Sequence, residues 1–258
     1  EMLAEAQRDL TNSVMATALA VLIWSQAVRV LDAPGWWNHL LLGVLVGAGV
    51  LAKYNVILFL IALALAAFSL PEVRSRLHPR RLAVAVLLAL LLTLPHLFWA
   101  LQHLELSTGG TLGKLGLVPA AVPVDAWTAR LQGLGSLVGA VIAFLSPFWL
   151  MALGCFWRPR QRRARVAGPA QPLGLQLMAR YLLMLAGLLL ALVIVIGVDA
   201  VKDRWLQPVL WMIPLWLFAH WDARDGLRLP AVRVFVGLAL ALMLALLLGI
   251  WGEVHWAA

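Results

Sequence analysis

Residues 36–70 read WWNHLLLGVLVGAGVLAKYNVILFLIALALAAFSL, one apolar run broken chiefly by Lys53-Tyr54-Asn55. At 1.5 Å per residue an unbroken helix of this length would reach about 52 Å, against a hydrocarbon core about 30 Å thick. The chain is therefore expected to turn at Lys53 and to set two short apolar helices side by side. Working outward from this run, the same length and composition test gives eight spans in all, at about 11–31, 37–52, 54–70, 82–100, 134–154, 177–198, 206–221 and 232–252.

Composition supports a bilayer as the solvent. Of the 258 residues 63% are apolar and 12% charged, with a mean hydropathy of +0.92, far from the roughly 45–50% apolar and 25% charged of soluble domains. A water-soluble enzyme is excluded. A disulfide scaffold is excluded as well, because Cys155 has no second cysteine in the chain. The net charge of +8 does not point to nucleic acid, since the basic residues stand between apolar runs, where they set topology. The expected fold class is all-α: a polytopic membrane helical bundle of about eight transmembrane helices, organised as a single integral membrane domain over residues 1–258. No internal repeat is visible, and residues 157–172 are the one linker-like stretch.

Orientation follows from Lys and Arg. Alternating the connections gathers Arg29, Arg74, Arg76, Arg80, Arg81, Arg158, Arg160, Arg162, Arg163, Arg165, Arg180, Arg224, Arg228 and Arg233 on one side, 14 of the 20 basic residues. That side reads as cytoplasmic. The other face reads as extracytoplasmic.

The unusual residues collect on that other face, where an ionisable group at a span end is a candidate for function. Asp9 sits among polar residues leading into the first span; it suits the positive end of a helix dipole, or a site. Gly43 and Gly47 leave a bare strip for a close helix neighbour. Lys53 lies between two apolar segments, so it either snorkels to headgroups or faces an anion such as phosphate. Pro95 is followed by His96, Trp99 and His103, where His96 shares a helix face with both later residues. Trp99 suits a membrane-interface belt, and two histidines without an acid are a poor metal set. No metal site is therefore assigned. The fourth group is Asp199 to Pro208. Arg204 offers a forked donor for phosphate, Lys202 a second positive charge, and Asp203 a carboxylate to hold either; an internally neutralised turn is the alternative.

Four motifs taken in order carry a resemblance: Arg8-Asp9-Leu10-Thr11-Asn12-Ser13-Val14, Gly49-Val50-Leu51-Ala52-Lys53-Tyr54, Leu94-Pro95-His96-Leu97-Phe98-Trp99 and Lys202-Asp203-Arg204-Trp205-Leu206-Gln207-Pro208. The chain resembles bacterial family 39 membrane glycosyltransferases of GT-C type, related to protein O-mannosyltransferases and to the lipid A aminoarabinose transferase. The resemblance implies transfer of a sugar from a polyprenyl-phosphate donor to a lipid, glycan or protein acceptor at the extracytoplasmic face. It implies Asp9 as the catalytic acid position and Lys53, Lys202 and Arg204 as donor phosphate ligands. Tyr54, His96, Trp99, His103, Asp203 and Trp205 would contact substrate. Membrane lipids are the remaining partner, and a divalent cation, used by some relatives, stays open as a cofactor.

In one respect the chain departs from the pattern. Enzymes of this kind carry a principal carboxylate in a first extracytoplasmic loop, well before the segment matched by Asp9. The expectation is either that this chain is the C-terminal portion of a longer glycosyltransferase, its activity as a fragment left open, or that the acid work falls on Asp9 or on an outer-loop residue such as Glu105 or Asp125. Two rivals make no bond: a transporter or flippase for a lipid-linked sugar or small anion, with the same cations as its binding site, and a non-catalytic scaffold within a membrane complex, which rests on the missing acid-bearing loop.

Overall fold

The computed structural model describes residues 2–103, 126–156, 172–225 and 229–256. Every regular element among the described residues is helical. They are α1 (Met2–Asp32), α2 (Trp36–Ala52), α3 (Val56–Ser69), α4 (Pro71–Arg74), α5 (Pro79–Gln102), α6 (Ala126–Phe156), α7 (Leu173–Ala191, continued by a π-helical turn over Leu192–Ile196), α8 (Asp203–Leu210), α9 (Met212–Asp225) and α10 (Leu229–Trp256). Among the described residues, four stretches are long and apolar enough to cross a membrane: Asn12–Asp32, Pro79–Gln102, Trp127–Ser146 and Leu173–Ile196. The expected turn at Lys53 is present, as an extended residue with φ −165° and ψ 130°. On either side of it α2 and α3 have 17 and 14 residues, about 26 and 21 Å, less than the hydrocarbon thickness.

One expected span is not continuous. Residues 206–221 form two helices separated at Trp211. Proline explains the break: Pro214 has no N–H, and its ring collides with the carbonyl four residues back, that of Leu210, where α8 stops. Burying that interruption requires a polar partner, and the Tyr181 hydroxyl supplies one by donating to the Val209 carbonyl at 2.8 Å.

The described chain divides into two compact units. The larger takes in Glu1–Phe144 and Pro172–Ile213. Its core is built round Tyr181 and Phe59, both fully buried, with ring centroids 5.4 Å apart; Trp24 packs edge-on against Tyr181 at 5.8 Å. These rings tie α1, α3 and α7 together. The pairing of α2 with α5 uses small residues, as the glycine strip predicts. A Cβ at Gly43 would stand 2.5 Å from the Ala85 carbonyl oxygen, and one at Gly47 would stand 3.1 Å from Leu92. Sequence reading did not single out Gly133, where a Cβ would come within 2.2 Å of the Val198 carbonyl oxygen. That approach is possible because Gly197 turns the chain with φ +85°, a conformation open to glycine at little cost.

The two ends of this unit differ. At one end, Gln26 donates to the Asn38 carbonyl at 2.9 Å and Asn38 to the Ala33 carbonyl at 2.7 Å, closing the α1–α2 turn. Arg81 donates to the Pro34 carbonyl and lies 5.6 Å above the Trp36 ring, while Arg76 approaches Asp32 at 3.8 Å. The sequence places these arginines on a common side, and the structure puts them at one end. The other end holds the candidate site.

The smaller unit takes in Leu145–Gln171 and Pro214–Ala258. Phe148, Phe218 and Phe235 meet edge to face there, with centroids 5.8, 6.0 and 4.9 Å apart, a geometry that favours aromatic packing.

The α2–α5 seam yields a stability prediction. Gly43→Ala should destabilise the protein by about 1–3 kcal/mol, because a backbone oxygen cannot yield to the added methyl. Gly139→Ala, where a Cβ would meet nothing within 4 Å, should be neutral or stabilise by up to about 1 kcal/mol through helix propensity. Thermal unfolding in detergent, comparing the two variants, measures the difference.

Candidate functional site

Lys53, Tyr54 and Asn55, the interruption that decides the fold, also organise the site. An apolar helix that stops inside or near a bilayer leaves backbone and side-chain polar groups in need of partners. Each of the three residues finds one on a different helix. The Lys53 ammonium donates to the Ser13 hydroxyl of α1 at 2.6 Å. Tyr54 OH lies 2.6 Å from His96 Nε2 of α5. The Asn55 amide donates to the Trp205 carbonyl of α8 at 3.1 Å. Segments separated by 40, 42 and 150 residues thereby converge on one turn.

Helical spacing then builds an aromatic ladder on α5. Tyr54 stacks on His96 at 5.8 Å, His96 on Trp99 at 5.9 Å and Trp99 on His103 at 4.9 Å, with interplanar angles of 28°, 17° and 19°. The i, i+3 and i, i+4 spacing of His96, Trp99 and His103 is what lines the rings up. Tyr54, Trp99 and His103 are exposed and His96 is partly so. The ladder therefore presents a flat π-surface outward. His103 also closes α5: its ring Nδ1 lies 3.0 Å from the Trp99 carbonyl.

The fourth expected group reaches the same end. Asn55 holds the backbone of Trp205, next to Arg204, so the start of α8 stands beside the Lys53 turn. Asp203 lies in the first turn of α8 and accepts the Arg204 backbone N–H at 2.8 Å. An acid there suits the positive end of the helix. Lys202 is exposed, and Arg204 and Trp205 are partly buried. The extended approach to α8 is fixed by Ser136, whose hydroxyl accepts the Val201 N–H at 2.7 Å and donates to the Val201 carbonyl at 3.1 Å. Sequence reading missed Ser136 and the anchoring roles of Ser13 and Asn55. Ser13 carries a signal as part of the first motif, and Asn55, beside Lys53, as a polar residue at the head of an apolar helix.

Asp9 lies in α1, one turn before Ser13, and its side chain is outside the described residues, as are Glu105 and Asp125. Among the described residues no three His, Cys, Asp or Glu side chains come together to hold a metal.

With this geometry in hand, comparison with known proteins defines the class. Residues 2–99 match the family described as dolichyl-phosphate-mannose-protein mannosyltransferase. The chain is similar to GT-C-type membrane glycosyltransferases, as the four motifs imply. Two relatives of Rhizobium johnstonii are similar over most of the chain. Lipopolysaccharide core galacturonosyltransferase RgtB is 31% identical across 98% of this chain and 50% of its own length. Lipopolysaccharide core galacturonosyltransferase RgtA is 32% identical across 88% of this chain and 44% of its own. The chain thus spans about half the length of the curated relatives it matches. No solved structure matches it.

The anchoring role of Asn55 is testable. Asn55→Ala should leave the Trp205 carbonyl without its amide donor, at a cost of about 1–3 kcal/mol. Hydrogen exchange of the amides from Val198 to Trp205 should speed up by about five-fold or more, while the amides of α2 keep their protection.

Proposed function

We propose that this chain forms part of a membrane glycosyltransferase that moves a sugar from a polyprenyl-phosphate donor to an acceptor at the extracytoplasmic face of the bacterial inner membrane. The observation that carries the reading is the convergence of α1, α5 and α8 on the Lys53–Asn55 turn, which gathers cations and exposed aromatic rings at one end of the larger unit.

The chemistry asks for such a combination. An acceptor hydroxyl oxygen attacks the anomeric carbon, the bond from that carbon to the carrier phosphate breaks, and the phosphate departs with the electron pair. The hydroxyl proton passes to a base, the role assigned to Asp9. Lys53, Lys202 and Arg204 hold the phosphate and stabilise the charge it gains, an electrostatic contribution that is often the largest in catalysis. The ladder of Tyr54, His96, Trp99 and His103 offers flat apolar faces and polar edges to a sugar ring, and Asp203 and Trp205 frame the other side. The polyprenyl tail stays in lipid. The two relatives' names favour a galacturonosyl donor and a lipopolysaccharide core acceptor.

Transport of a lipid-linked sugar is the second reading. The break at Trp211 favours it, since interrupted apolar helices in both halves of a chain are a transporter feature. One assay separates the two: purified protein in detergent, a galacturonosyl or neutral hexosyl polyprenyl phosphate, and lipopolysaccharide core as acceptor. Glycosylated acceptor supports the enzyme. Donor movement across vesicles without product supports the transporter.

In the complete protein, Lys53→Ala and Arg204→Ala should each lower the transfer rate by about 10²–10³-fold, the scale of one lost charge-stabilising contact, with membrane insertion unchanged. Wild-type turnover in both variants removes these residues from the site.

A further inference from the structure

We infer that a groove along the first turns of α5 holds an acidic glycerophospholipid of the surrounding bilayer. The inference is independent of the proposed catalytic reading. The groove has a volume of about 770 Å³, within the range of about 300–1,000 Å³ usual for ligand pockets. Phe68 at the end of α3 and Arg74 at the end of α4 form one wall; Leu82, Val86 and Leu90, successive turns of α5, form the other, with Ala83 beside them. Arg74 is the sole charged residue of the lining.

These walls face lipid. Phe68, Val86 and Leu90 are 53, 52 and 55% exposed, and α5 buries only Ala85 and Ala89 among its described residues. Since α5 is long enough to cross the membrane, acyl chains have access to this side. The groove opens at the start of α5, where a headgroup would lie.

The charge there is unbalanced. Between Arg74 and Arg81 the chain carries four arginines, against Glu72 and Asp32 nearby. Arg76 is paired with Asp32, and Arg81 is held by the Pro34 carbonyl and Trp36. Arg74 and Arg80 are exposed, and neither guanidinium makes a hydrogen bond or ion pair with the described residues. A guanidinium fork on an acyl-chain groove is suited to a phosphate diester, and basic pockets beside transmembrane helices recognise anionic headgroups. A zwitterionic lipid offers the same phosphate but is neutral overall, so only an acidic lipid offsets the net positive charge of this end. A lipid-phosphate sugar donor would be at the wrong end, because Pro79 and His96 lie about 25 Å apart along α5.

Native mass spectrometry of the protein released from nanodiscs of equal phosphatidylglycerol and phosphatidylcholine tests the inference. Wild-type protein should retain phosphatidylglycerol about five-fold over phosphatidylcholine or better, the factor that one arginine near the surface supplies. Arg74→Ala combined with Arg80→Ala should remove the preference. Ala83→Trp, which fills the groove, should lose bound lipid, whereas Leu240→Trp on the exposed side of α10 should behave as wild type. Equal retention of the two lipids by the wild type overturns the inference. So does a preference that survives the double arginine substitution, lipid retention unchanged in Ala83→Trp, or a polyprenyl phosphate as the species retained from native membranes.

Discussion

In hydrocarbon a helix cannot end without finding partners for what it exposes, and the turn at Lys53–Asn55 meets that demand with three consecutive side chains. One reaches α1, one α5 and one α8. If the three residues were apolar, α2 and α3 could run on as a single rod and the other helices would lose their common point of attachment. The polar turn is therefore both the end of two helices and the place where distant parts of the chain are tied. On the proposed reading, these bonds prearrange the donor-binding surface, which is what catalysis by charge stabilisation requires.

Much of this was legible in the residues alone. The run 36–70 shows its own interruption, because its length cannot fit the bilayer. Gly43 and Gly47 announce a close neighbour, and the spacing of His96, Trp99 and His103 announces a shared face. The partners were not legible. Nothing in the sequence says that Lys53 would meet Ser13 or that Asn55 would meet the carbonyl of Trp205, since these bonds depend on the packing of helices far apart in the chain. The span expected at 206–221 is interrupted for a different reason: its composition is mostly apolar, and the break comes from the backbone geometry of Pro214, which average hydropathy does not register.

The two ends of the larger unit handle charge differently. Around Lys53 the basic groups are interleaved with hydroxyls, amides and rings, and their bonds cross between helices. Around Arg81 the arginines cluster near one turn and act on carbonyls, one acid and one indole. The first arrangement suits a single anionic group held in a fixed orientation. The second suits attraction to a charged surface, where orientation matters less. On the two proposals, the larger unit has a selective end and an adhesive end, separated by apolar helices.

The seam between α2 and α5 has a consequence for how such a protein could change. Where a glycine carbon already touches backbone, no side chain can be traded for a larger one, and the two helices can neither slide nor roll past each other. His96 shares the helical face of Ala85 and Ala89, so the angle at which its ring meets Tyr54 is set many ångströms away by the absence of a methyl group. Retuning the recognition surface would then proceed by exchanging the rings themselves, leaving the hinge-free strut behind them untouched.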